Sequence, residues 1–368
     1  MFFETDEPQP RAKNEDLKRA LSIGTRIGQS IERLRSCHQA ASNLTEPLDL
    51  GTIQWHPTDD TSAERPLSPA PLAPRLAYQS AIRLADTDNG IDHRGLFYRL
   101  FGTRVRGQSD MASTYDAGAT AAAAEYFETL LFSSAISPPP HRSRAAIRDM
   151  DALAAVGTYA ERWQSTQDIL SASLAALRRL PPLSPYTFPI AWVGAQDLDH
   201  PEEPDDILPL LPHLARFASA TEQAAETAAV IVQGLELAQA VTEGHRRGSI
   251  GPRLAALSVV WPCIAEHLAC DVLSVSKVTF QSGIAGLAET GLLTEVTGRT
   301  RHRAWLFAAT GLWPRFQGYS PPQLTNMSRV RKDPCKAPLS TEDAEMGQTL
   351  DQLESAAARV QTILDKSS

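Results

Sequence analysis

The stretch "LLTEVTGRTRHRAWLF", Leu292 to Phe307, carries Arg299, Arg301, His302 and Arg303 within five positions. Its flanks "LLTEV" and "RAWLF" are rich in strand-forming residues, and Gly298 supplies a turn between them, so the pattern predicts a hairpin with basic side chains at its tip. Guanidinium groups held this way can meet phosphate oxygens or enter a minor groove, which sets register without reading sequence. Just upstream, Ser276 is a candidate N-cap for a helix "KVTFQSGIAGLAETG" that ends on Gly291 as its C′ residue. Turning Val278, Ile284 and Leu287 inward leaves Lys277, Thr279, Phe280, Gln281 and Ser282 near the start of that helix. Most of these types can bond to base edges in a major groove, and together with the cap Ser276 and the arginines Arg299, Arg301 and Arg303 they form a candidate DNA contact. A plain surface hairpin whose arginines serve solubility would have the same composition. The combination of helix, glycine stop, hairpin and local charge favours DNA.

Charge distribution bears on that choice. The chain has 368 residues and a net charge of −8, which by itself argues against a polyanionic partner. Of its 35 basic and 43 acidic residues, 12 and 5 lie between His245 and Lys336, a local charge of +7; this leaves 23 and 38, or −15, elsewhere. A basic segment in an acidic chain is a localised electrostatic footprint.

Other chemistry is less well supported. Cys263, His267 and Cys270 recur at i, i+4 and i+7, which would align them on one helical face as zinc ligands. A fourth ligand would have to come from distant Cys335 or His302, so buried cysteines beside a core histidine are the simpler reading, and no metal or other cofactor is expected. The run "DLDHPEEPDD" has the composition of a cation site, but its prolines predict a solvated loop. No phosphate-binding glycine loop and no nucleophile elbow is present.

The elements that position these residues are mainly α-helical. With 42% apolar residues the chain can bury a sizeable core, divided into more than one domain by its length. A first helix is expected from an N-cap at Asn14, with Leu17, Leu21, Ile27, Ile31 and Leu34 on one side, filling 1–44. A proline-rich loop follows over 45–75, then a helical domain over 76–244 with helices at 76–85, 95–100, the Ala-rich run after Ser113, 144–180 and 214–242. The glycines of "EGHRRGSIGP" mark a boundary before a second unit at 250–312. There Leu254, Leu257, Val260, Ile264 and Leu268 form a stripe, and Pro262 breaks it into two short helices. A linker over 313–339 leads to an amphipathic helix over 340–366, where Met346, Leu350, Leu353, Ala357, Val360 and Leu364 make either a short coiled-coil seam for a homodimer or a face folded back on its own unit. The acidic, proline-bearing N-terminus and the lack of a long apolar run predict a cytoplasmic protein that does not enter a membrane. Cys37, Cys263, Cys270 and Cys335 are too few and too scattered for a disulfide framework.

The segment "VSKVTFQSGIAGLAETGLLTEVTGRTRHRAWLF" resembles the C-terminal winged helix of many Fic-type proteins and of a family of plasmid-encoded alphaproteobacterial proteins of unknown function. The resemblance is carried by Val275, Ser276, Leu287, Glu289, Gly291, Leu292, Glu295, Thr297, Gly298, Arg299, Arg301, Arg303 and Trp305, about a tenth of the chain. It implies a winged helix-turn-helix that binds double-stranded DNA, as in a transcriptional regulator or plasmid-maintenance factor, and it carries over no enzyme activity. The Fic motif itself, a histidine followed by an Asn-Gly-Arg loop, is absent, since Asn89-Gly90 is followed by Ile91. The stretch "HLACDVLSVSK" predicts a longer connection before the recognition helix than that family uses. The alternative is an enzyme or toxin-like effector whose catalytic part is the N-terminal helical domain.

Overall fold

The computed structural model describes residues 10–45, 54–55, 65–66, 71–87, 93–102, 117–133, 148–166, 171–172, 175–176, 211–245, 249–299 and 303–308. They are mainly helical, with a small antiparallel sheet near the C-terminal end. The N-terminal part contains α1 (Pro10–Thr45), α2 (Ala73–Thr87), α3 (His93–Phe101), α4 (Ala117–Ser133), α5 (Arg148–Thr166) and α6 (Leu211–Thr242). A two-residue antiparallel pair, β1 (Gln54–Trp55) and β2 (Arg65–Pro66), lies within the segment expected to be loop alone.

Helix α1 starts at Pro10 rather than after Asn14, because proline lacks the N–H that a first turn leaves unpaired anyway. It runs along α6 and buries Ile23, Ile31, Leu34, Cys37 and Ala41. Leu21, expected in that stripe, is 60% exposed, since it falls off the face that Ile23 and Ile31 define. On α6 Ala218 packs against Ile23, and one turn on Glu222 pairs with Arg26 of α1 at 2.7 Å. Cys37 is disulfide-bonded, which its isolated position in sequence does not predict.

Helices α2, α3 and α4 meet over aromatic rings. Phe97 and Phe101 lie 4.9 Å apart, and Tyr78 and Phe127 sit edge-on to Phe101 at 5.5 and 6.2 Å. The buried hydroxyls of Ser80, Thr221 and Thr242 each donate to a carbonyl one turn back, on Leu76, Phe217 and Ala238.

After the turn at 243–245 come α7 (Ile250–Val260), β3 (Ile264–Ala265), α8 (Glu266–Leu273), α9 (Lys277–Glu289), β4 (Leu293–Glu295) and β5 (Ala304–Phe307). The expected boundary at 244–250 interrupts the helices without dividing the interior. One hydrophobic core joins Ile31 of α1 to Phe307 of β5. At the crossing of α6 with this unit, a Cβ on Gly234 would stand 3.0 Å from Val259 Cγ1 and 3.1 Å from Phe307 Cε1. The expected linker at 313–339 and helix at 340–366 lie outside the described residues. Among the described residues no helix is long and apolar enough to cross a membrane.

Candidate nucleic-acid interface

Pro262 ends α7, as its missing N–H requires, and Trp261 turns the chain into extended backbone at φ −94° and ψ 131°. Two residues of strand follow where the sequence suggested a second helix. Ile264 pairs with Trp305 and Ala265 with Ala304, so β3 becomes an edge of a three-stranded antiparallel sheet ordered β3–β5–β4. On the other side of β5, Leu293, Thr294 and Glu295 pair with Phe307, Leu306 and Trp305.

Helix α8 carries on through "CDVL", which shortens the connection to α9 to Ser274, Val275 and Ser276. The longer connection expected from "HLACDVLSVSK" is therefore corrected. Ser274 adopts φ 50°, in the left-handed region, and Val275 N–H reaches back to the Cys270 carbonyl at 3.0 Å.

Ser276 caps α9 as expected. Its Oγ accepts from Thr279 N–H at 3.2 Å and lies 2.9 Å from Thr279 Oγ1. At the far end Gly291 has φ +75°, the C′ conformation expected of it. The buried face differs from the expected one. Phe280, Ile284 and Leu287 point inward, whereas Val278 is 77% exposed. Phe280 is therefore withdrawn as a base contact: its ring lies edge-on to Trp305 at 5.5 Å, and the spacing 280, 284, 287 makes one helical stripe. Gly283 sits on the flank facing α7, where a Cβ would come within 2.7 Å of Ile250 Cγ2, so the residue that weakens the helix locally also permits this crossing.

The outer surface of α9 presents Val278, Ser282 and Ala285, all exposed, flanked by Thr279 and Gln281. Glu266, the first residue of α8, ties the near edge down. Its carboxylate receives Lys277 Nζ at 2.5 Å and Gln281 Nε2 at 3.2 Å.

The turn after β4 is organised around Glu295. Its Oε1 accepts from Thr297 N–H at 2.8 Å and from the Thr297 hydroxyl, and Gly298 N–H donates to both carboxylate oxygens at 3.1 and 3.0 Å. Thr297 Oγ1 accepts Arg299 N–H at 3.3 Å in turn. Gly298 takes φ +63°, which a side chain would resist. Arg303 Nε donates to the Arg299 carbonyl at 2.9 Å, and both arginines are exposed. The hairpin thus brings Arg299 and Arg303 together at one end; Arg301 lies outside the described residues.

Beneath this unit, Arg75 of α2 is fully buried and reaches the end of α7. Its Nη2 donates to the carbonyls of Ser258 at 2.8 Å and Trp261 at 3.2 Å, and its Nε to Val259. Those carbonyls have no partner within the helix and carry the negative end of its dipole, so a cation caps them. Burial draws the guanidinium down to about 9, which still leaves it charged at neutral pH. Cys263 precedes β3 and is not on α8, so Cys263, His267 and Cys270 do not share a helical face. Burial also pushes the Cys263 thiol well above its usual range.

Of the residues singled out from sequence, Ser276, Lys277, Thr279, Gln281 and Ser282 are exposed on or beside the first two turns of α9, and Arg299 and Arg303 are exposed at the hairpin. Glu266, which ties down one edge of this surface, and Arg75, buried beneath the unit, carried no local signal. No protein-family model matches this chain, and no curated protein matches it.

Proposed function

We propose that the chain is a DNA-binding protein, a transcriptional regulator or plasmid-maintenance factor, that holds duplex DNA with a winged helix-turn-helix at 250–312. The reading rests chiefly on the order of elements. Helix α7, edge strand β3, helices α8 and α9 joined by three residues, and the hairpin β4–β5 closing a β3–β5–β4 sheet are the observations that support it. In this reading α9 lies in the major groove, where Gln281, Ser282 and Thr279 meet base edges and Lys277 meets a phosphate. Arg299, Arg301 and Arg303 hold phosphates beside it. The local charge of +7 supplies the attraction that a net charge of −8 lacks.

A second copy joined through the helix expected at 340–366 would present two such units to a symmetric site. The test is retention of the full chain on mixed duplex DNA across a salt series. Retention that falls linearly with the logarithm of salt supports the reading, and no retention at low salt overturns it.

A further inference from the structure

The DNA reading leaves open what α9 recognises, and the inference here rests on that reading. We propose that Val278 gives the protein a preference for thymine by packing on its 5-methyl group.

Three observations converge on this residue. First, Val278 is 77% exposed, the most exposed of the large apolar side chains among the described residues, although an inward alternative existed for it in the helix pattern. Phe280 takes the inward place against Trp305, which commits Val278 to the opposite side of α9. Second, it occupies the second position of the helix, one turn before Ser282 and two turns before Ala285, so the outer face that would approach the groove floor consists of small uncharged side chains. Such a face lets a helix approach closely.

Third, contacts on either side of Val278 fix how this turn of the helix is presented. Lys277 and Gln281 are bonded to Glu266, and the Thr279 hydroxyl is paired with Ser276. Among the base edges of the major groove only thymine offers a methyl group, so a valine placed there discriminates by apolar contact rather than by hydrogen bonding. Removing one buried methyl or methylene group from such a contact corresponds to about a four-fold change in affinity.

The experiment uses the full chain. A preferred duplex is selected from a random pool, and each thymine in it is then replaced by deoxyuridine, which keeps the hydrogen-bonding edge and lacks only the methyl. We expect one or two replacements to weaken wild-type binding about four-fold each, and the same replacements to leave Val278→Ala unaffected. Val278 is exposed, so Val278→Ala should melt at the wild-type temperature, which the same samples check. Losses of equal size in wild type and Val278→Ala, or no loss at any thymine, overturn the role of Val278 while leaving DNA binding intact. Failure of the wild type to bind any duplex removes the DNA reading, and this inference with it.

Discussion

Arg75 Nε lies 2.5 Å from the carbonyl oxygen of Val259, so a residue of α2 closes the end of α7. The two positions are 184 apart in sequence, and the bond is buried. Arg75→Met keeps much of the volume and removes the charge, leaving the carbonyls of Ser258, Val259 and Trp261 without this donor. The expected cost is about 3 kcal/mol, read from the urea midpoint of unfolding. A loss below about 0.5 kcal/mol would show that the carbonyls find other partners at no cost.

The two glycines inside α9 should respond in opposite directions. Gly286 is exposed and has open space where a Cβ would stand, so Gly286→Ala should raise stability by up to about 1 kcal/mol through helix propensity. Gly283→Ala would push against Ile250 and should lower stability despite the same gain in propensity. Thermal melting of both variants checks the pair. Equal shifts would mean that the close approach of α9 to α7 does not hold.

At the hairpin, Glu295 and the arginines give predictions of opposite electrostatic sign. Replacing Arg299, Arg301 and Arg303 by alanine should weaken DNA binding alike on all sequences and reduce the salt slope by about one for each phosphate no longer neutralised. Glu295→Ala removes a negative charge, which on charge alone would tighten binding. Because Glu295 orders Thr297 and Gly298 by accepting from their backbone N–H groups, binding should instead weaken several-fold. Tighter binding by Glu295→Ala would reduce its role to that of a surface charge.

His213 at the start of α6 supplies a pH dependence. Burial, with a smaller contribution from Arg216, lowers its pKa below the ordinary 6.5. Its Nδ1 has no hydrogen-bond partner among the described residues, and its ring lies edge-on to Tyr159 at 6.1 Å. Below about pH 6.5 the unfolded chain takes up a proton that the folded chain refuses, so the stability present above that pH is lost as pH falls. Unfolding midpoints taken from about pH 7.5 down to about pH 5 should decline for wild type and decline less for His213→Phe. Parallel declines would assign the acid sensitivity to other groups.

How much of this was legible in the sequence depended on the range of the interaction. Ser276 as N-cap and Gly291 as stop were readable because each acts within its own turn of chain, and Pro262 ended α7 for the same reason. The choice between Val278 and Phe280 was not readable, because it depends on where Trp305 arrives from the far strand. Strand β3 has two residues, too short a run to show the alternation of a strand; pairing with β5 creates it. Glu266 and Arg75 look like ordinary charged residues until distant partners are placed beside them. The mainly helical composition, by contrast, was visible in the spacing of apolar residues from α1 to α6.

The unbroken core from Ile31 to Phe307 has a consequence for how the chain unfolds. Helices α1 to α6 and the unit from α7 to β5 share one apolar interior, so neither keeps its buried surface once the other opens. A loss placed in either part, at Arg75 or at Gly283, should therefore lower one common transition, and the groups on α9 should lose their fixed arrangement at the same temperature as α1.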